Sequence, residues 1–122
     1  MTDYEMTKHC AELLGLGYIR RCDENPRAVE YNADPNNEAW MIDCPLDEDG
    51  EAFALLTTYD IVVEREKNDT FGVTLFSGDY KNGRPTFVVR NQPSLNRALV
   101  EVVAKYAVHR ATESTAKEPG RG

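Results

Sequence analysis

An α+β fold, an antiparallel sheet packed with about three helices, is predicted by three observations. Three segments carry apolar residues at helical spacing, and between the second and third lies a run of short extended segments broken by turns. Each element has one apolar face, so helices and sheet must bury those faces against one another in a sandwich-like arrangement. A chain of 122 residues also has room for one hydrophobic core and not for two.

The first helix follows from Thr2 and Glu5, whose side chains can satisfy each other's free backbone amides as a capping box. Met6, Cys10, Leu13 and Leu14 form its apolar stripe, which leaves Lys8, His9 and Glu12 toward water. Gly15 or Gly17 supplies the left-handed residue that ends it. One or two weak strands come next, at 18–20 and 28–31, among turn-forming sequences such as Asn25-Pro26 and Asp34-Pro35. Residues 39–44 are a further short extended stretch, with Trp40 and Ile42 on one side.

Asp47 reads as the N-cap of a second helix that reaches Thr58 and buries Ala52, Phe53, Leu55, Leu56 and Tyr59. Segments 61–66, 70–76 and 86–90 read as a three-strand meander, joined by a tight turn at Lys67-Asn68-Asp69 and a longer loop at 78–85. Ser94 caps the last helix, in which Leu95, Leu99, Val102, Val103 and Tyr106 share a face. The domain is expected to span 1–110. Residues 111–122, poor in apolar side chains, are expected to be a mobile C-terminal tail.

With 41% hydrophobic and 29% charged residues, the composition is that of a soluble globular chain. No apolar run approaches the roughly 20 residues of a membrane span, and the first ten residues lack a signal-peptide core, so a cytoplasmic protein without membrane contact is expected. Cys10, Cys22 and Cys44 are odd in number and form no CxxC pair, which argues against a disulfide framework or a zinc site. The net charge of −7 argues against direct binding of nucleic acid across a broad face.

The charge is unevenly placed. Residues 1–60 carry 14 acids and 4 bases, whereas residues 61–122 carry 7 acids and 10 bases. Between Arg27 and Arg65 there are ten acids and no base. Glu38, Asp43, Asp47, Glu48, Asp49 and Glu51 make this stretch the candidate partner-binding surface, since one or two carboxylates would already satisfy a helix dipole. As a calcium loop the stretch fails, because Pro45 and Leu56 occupy the positions that need the first and last carboxylates. Nor does a neighbouring nucleophile turn the carboxylates into an acid–base pair, so no catalytic residue, metal or cofactor is expected. Lys81, Arg84 and Arg90, in and beside the hairpin loop, are an alternative anion-binding set for a small nucleotide.

Two segments also carry a family resemblance. The run Asp43-Cys44-Pro45-Leu46-Asp47-Glu48-Asp49-Gly50, leading into the second helix, resembles a segment of small accessory proteins of tailed phages and prophages, an ABA-sandwich-like family. Cys44 stands where that pattern has Asn. The closing run from Asn96 to Ala104 and the opening from Thr2 to Glu12 are similar to the corresponding parts of those proteins. The resemblance implies an α+β sandwich of phage origin with no catalytic residues. It also implies a non-enzymatic accessory role, such as inhibition of a host defence or nucleic-acid-binding complex by an acidic surface that docks on a basic one. The alternative is a binder of, or enzyme on, a small anionic nucleotide using the basic C-terminal half.

Overall fold

The computed structural model describes residues 1–78 and 85–112, and the backbone of 113–117. Its elements in chain order are α1 (Asp3–Leu14), β1 (Tyr18–Arg21), β2 (Val29–Asn32), β3 (Met41–Asp43), α2 (Asp49–Thr58), β4 (Asp60–Arg65), β5 (Phe71–Phe76), β6 (Thr86–Gln92) and α3 (Leu95–Lys117). They form the α+β fold read from the sequence, with three helices and two separate antiparallel sheets ordered β1-β2-β3 and β4-β5-β6. The N-terminal strands thus number three and make a sheet of their own.

Local chemistry accounts for the element ends. The Glu5 N–H donates to Thr2 Oγ1 at 3.1 Å and the Thr2 N–H donates to Glu5 Oε1 at 2.9 Å, completing the capping box of α1. Gly15, at φ 69°, ends that helix. Gly17 does a different job: at φ 114° it lies so close to β2 that a Cβ would stand 2.5 Å from the Asn32 carbonyl oxygen. Between β4 and β5, Asn68 and Asp69 take left-handed conformations, which suits a tight hairpin turn. Ser94 accepts from the Arg97 N–H at 3.1 Å and caps α3.

Helix α3 is the centre of the molecule. It packs on β5 and β6 on one side and on α1 and α2 on others. Ala98, Leu99, Val100, Val102, Val103 and Ala104 are all essentially inaccessible to solvent. The predicted stripe contained Leu99, Val102 and Val103 but not Val100, whose carbonyl accepts the Cys10 thiol at 3.4 Å. Across the sheet, the registers Ile61↔Leu75↔Phe87 and Val63↔Val73↔Val89 form the inner face. The Val62↔Thr74↔Val88 row lies on the outer face, where both valines are exposed.

Three expectations are corrected. Helix α3 runs to Lys117 rather than stopping at Arg110, since no Gly or Pro falls between them to end it, and Thr112 Oγ1 is accommodated by donating to the Val108 carbonyl at 3.0 Å; residues 118–122 lie outside the described residues. Phe53 is not in the buried stripe of α2: it is 61% exposed, while Ala52 and Leu55 face the core. Adjacent residues on a helix point about 100° apart, and a ten-residue helix against one neighbour has room for only one of those directions. Finally, Asp47 is not the N-cap, since α2 starts at Asp49 with Glu48 as its cap and no capping side-chain bond.

Candidate functional site

The end of β3, the connection after it and the first turn of α2 together hold five of the six predicted partner-binding acids, in different environments. After β3 the chain turns through Pro45-Leu46-Asp47, where the Asp47 and Glu48 N–H groups both donate to the Cys44 carbonyl, at 3.0 and 2.9 Å. The same turn is closed from the helix side, where Glu51 Oε1 accepts from the Cys44 N–H at 2.6 Å. Glu51 is therefore part of the turn as well as part of the acidic run.

Asp47 is turned away from the helix toward Arg27, whose Nη1 lies 2.8 Å from Asp47 Oδ1. Its other oxygen accepts from Asn25 Nδ2 at 3.1 Å and from the Cys44 thiol at 3.3 Å. The Asn25 and Cys44 hydrogen bonds, then the Arg27 charge, hold the Asp47 carboxyl below its ordinary range. Arg27 also binds Asp3 at 3.1 Å, and Asp3 in turn binds Arg97 at 3.0 Å. A chain of charges thus links the acidic turn to the starts of α1 and α3.

Asp43 is buried, 8% exposed, and its Oδ2 has no hydrogen-bond partner among the described residues. Burial first, and the charge of Glu51 second, push its carboxyl up to about 6. Burial also pushes the Cys10 thiol up to about 12, with the Asp43 charge adding to it. Cys44 is raised to about 11, by burial and then by its hydrogen bond to Asp47. Burial thus favours the protonated thiol over the reactive thiolate at both positions.

Of the six predicted acids, Glu38, Glu48, Asp49 and Glu51 have no basic partner among the described residues, and the last three lie together. Glu48 and Glu51 line a shallow cavity of about 420 Å³ with Asn25, Ile42, Cys44 and Asp47. Asp49 lies at the mouth of a second, larger groove of about 710 Å³, floored by Leu56, Phe71, Leu95 and Leu99, with Phe53 beside them. Asn96 Nδ2, at the start of α3, donates to Asp49 Oδ1 at 2.9 Å and joins the two helix starts across that groove. Glu38 is apart from both cavities, exposed on the β2–β3 connection.

Of the alternative anion-binding set, Lys81 and Arg84 lie outside the described residues. Arg90 is held by Glu66 at 3.3 Å and approached by Glu64 at 3.9 Å. The histidines are engaged separately, His9 by Glu12 at 3.7 Å and His109 edge-on to Phe87 at 5.3 Å. Among the described residues, no three His, Cys, Asp or Glu side chains are placed to hold a metal ion, and no helix is long and apolar enough to cross a membrane.

The apolar groove is the feature that sequence reasoning missed. Its signal was present, since five apolar side chains in ten residues of α2 exceed what one helix face can bury. The fold and this site together define an α+β domain with an open apolar groove beside unpaired carboxylates. Comparison with protein families, curated proteins and solved structures returns no match to the chain.

Proposed function

We propose that the chain is a non-enzymatic binding protein of the accessory kind that tailed phages and prophages carry. In the cytoplasm of an infected or lysogenic bacterium it docks an acidic surface on a basic surface of a host protein, such as a defence or nucleic-acid-binding complex. The observation that supports this most is the trio Glu48, Asp49 and Glu51, three carboxylates with no basic partner among the described residues. Asp47, by contrast, is neutralised by Arg27, and Asp43 is buried, so neither adds to the docking surface.

Charges arranged this way act chiefly on encounter. They steer a basic partner, raise the association rate and oppose nucleic acid at the same basic site. The test is capture from a bacterial lysate by the wild type and by a Glu48→Gln, Asp49→Asn variant, followed by mass spectrometry and association kinetics. A basic host protein retained by the wild type, with an association rate that falls in the variant and falls steeply as salt rises from about 50 to about 300 mM, supports the reading. Equal capture and equal rates at low salt, with both proteins folded, refute it.

A further inference from the structure

Asp43 ends β3 with its side chain buried and its Oδ2 without a hydrogen-bond partner among the described residues. Cys44, the next residue, carries the turn into α2. Its N–H donates to Glu51 Oε1 at 2.6 Å, and its carbonyl accepts from the Asp47 and Glu48 N–H groups. Two carboxyl groups therefore meet at one turn, one buried beside it and one closing it, near enough that the Glu51 charge acts on Asp43.

Among the described residues neither carboxyl has an ion-pair partner. Arg27 is divided between Asp3 and Asp47, and Arg97 is held by Asp3. Arg21, two strands along the same row as Asp43, has its guanidinium over the Tyr4 ring at 3.9 Å. The immediate β2 neighbour of Asp43 is Val29, which brings no charge. From α1 the titratable group is Cys10, whose thiol donates to the Val100 carbonyl and is pushed up to about 12.

An orphaned carboxyl oxygen costs less on a neutral acid than on an anion, and burial brings the change between the two to about pH 6. Once ionised, Asp43 meets Glu51 as a like charge, and the two are not equally free to respond. Asp43 is fixed by the pairing of β3 with β2. Glu51 is only partly buried and borders the shallow cavity of about 420 Å³, into which its side chain can turn toward water. The turn survives that movement, because the Cys44 carbonyl keeps its two N–H donors. We infer that Asp43 and Glu51 form a pH-sensitive latch on the entry to α2: protonated Asp43 leaves Glu51 closed on the Cys44 N–H, and ionised Asp43 drives it off into solvent. The latch does not depend on what the acidic surface binds.

The test is a proton–nitrogen NMR titration of the full chain from about pH 5 to about pH 8, following the Cys44 amide. An amide proton held by a carboxylate resonates downfield of one facing water. The wild-type Cys44 amide should therefore move upfield in one step centred near pH 6, while Val102 and Val103 in the core stay in place. Ionised Asp43 also shifts its neighbour's amide through the chain, and Glu51→Gln separates the two causes. Gln still accepts from the N–H but brings no charge, so most of the step should be lost. Asp43→Asn should likewise hold the Cys44 amide downfield throughout. A step of wild-type size in either variant overturns the latch, and so does a wild-type Cys44 amide that stays in place. Glu51→Gln keeps the size of a partly exposed side chain, so it decides the matter even where Asp43→Asn fails to fold.

Discussion

Replacing Asp43 with Asn tests whether the molecule carries a buried carboxylate at a cost. Asp43 is buried, its Oδ2 lacks a hydrogen-bond partner among the described residues, and burial pushes its carboxyl up to about 6 from the ordinary 3.8. A folded-state value above the unfolded one means that folding favours the protonated acid. Stability from this group is then complete below about pH 4, declines as pH rises toward 6, and is level above that. A shift of about two units, at about 1.4 kcal/mol per unit, makes ionised Asp43 cost about 3 kcal/mol at neutral pH. Asn is nearly the same size and never ionises. Its amide brings its own hydrogen-bonding cost of about 1–3 kcal/mol, but that cost is the same at every pH. The readout is thus a difference: the variant should gain about 3 kcal/mol relative to the wild type between pH 4 and pH 7.5, measured by urea unfolding with circular dichroism. The same relative stability at both pH values would refute the assignment of a strained acid at Asp43.

Leu99→Ala should cost roughly 2–5 kcal/mol, because Leu99 is fully enclosed at the centre of α3; a melting temperature within a few degrees of wild type would contradict this. Gly72→Ala should destabilise by about 1 kcal/mol, since the new Cβ would stand 2.7 Å from Glu66 Oε1 and the Glu66 side chain must swing away from the Asn91 N–H it accepts. Combining it with Glu66→Ala should recover part of that loss, and full additivity of the two changes would show that they do not meet. In native protein, all three thiols should react with a disulfide reagent far more slowly than after denaturation, because Cys10, Cys22 and Cys44 are all buried; prompt modification of any one would show that its shell opens.

The parts of this fold that were legible in the sequence are those written in local chemistry. Thr2 and Glu5, Ser94, and the Lys67-Asn68-Asp69 turn each act within three or four residues, and each is found where its chemistry places it. Asp47 shows the limit of such reading. As an acid just before a helical run it has the form of an N-cap, but Arg27, twenty residues earlier, holds its carboxylate. A partner at that distance leaves no periodic trace. Phe53 illustrates a second limit, because composition marks it as apolar while only the packing of α2 on α3 decides that it stays outside. Within the acidic stretch, sequence counted six equivalent carboxylates. The fold divides them into a buried acid at Asp43, an acid paired with Arg27 at Asp47, a turn-closing acid at Glu51, Glu48 at the smaller cavity, Asp49 at the apolar groove and the detached Glu38.

The central position of α3 has a consequence for how the chain acquires its structure during synthesis. The helix follows every element it packs against, and its bond with Cys10 joins positions separated by 90 residues. Until Leu99 to Val103 leave the ribosome, α1, α2 and the inner face of the β4–β6 sheet lack the main partner for their apolar sides. Neither sheet can form first and wait, because small sheets with an uncovered apolar face are marginal in water. The core is then gained in one long-range step once α3 is present, which favours slow folding.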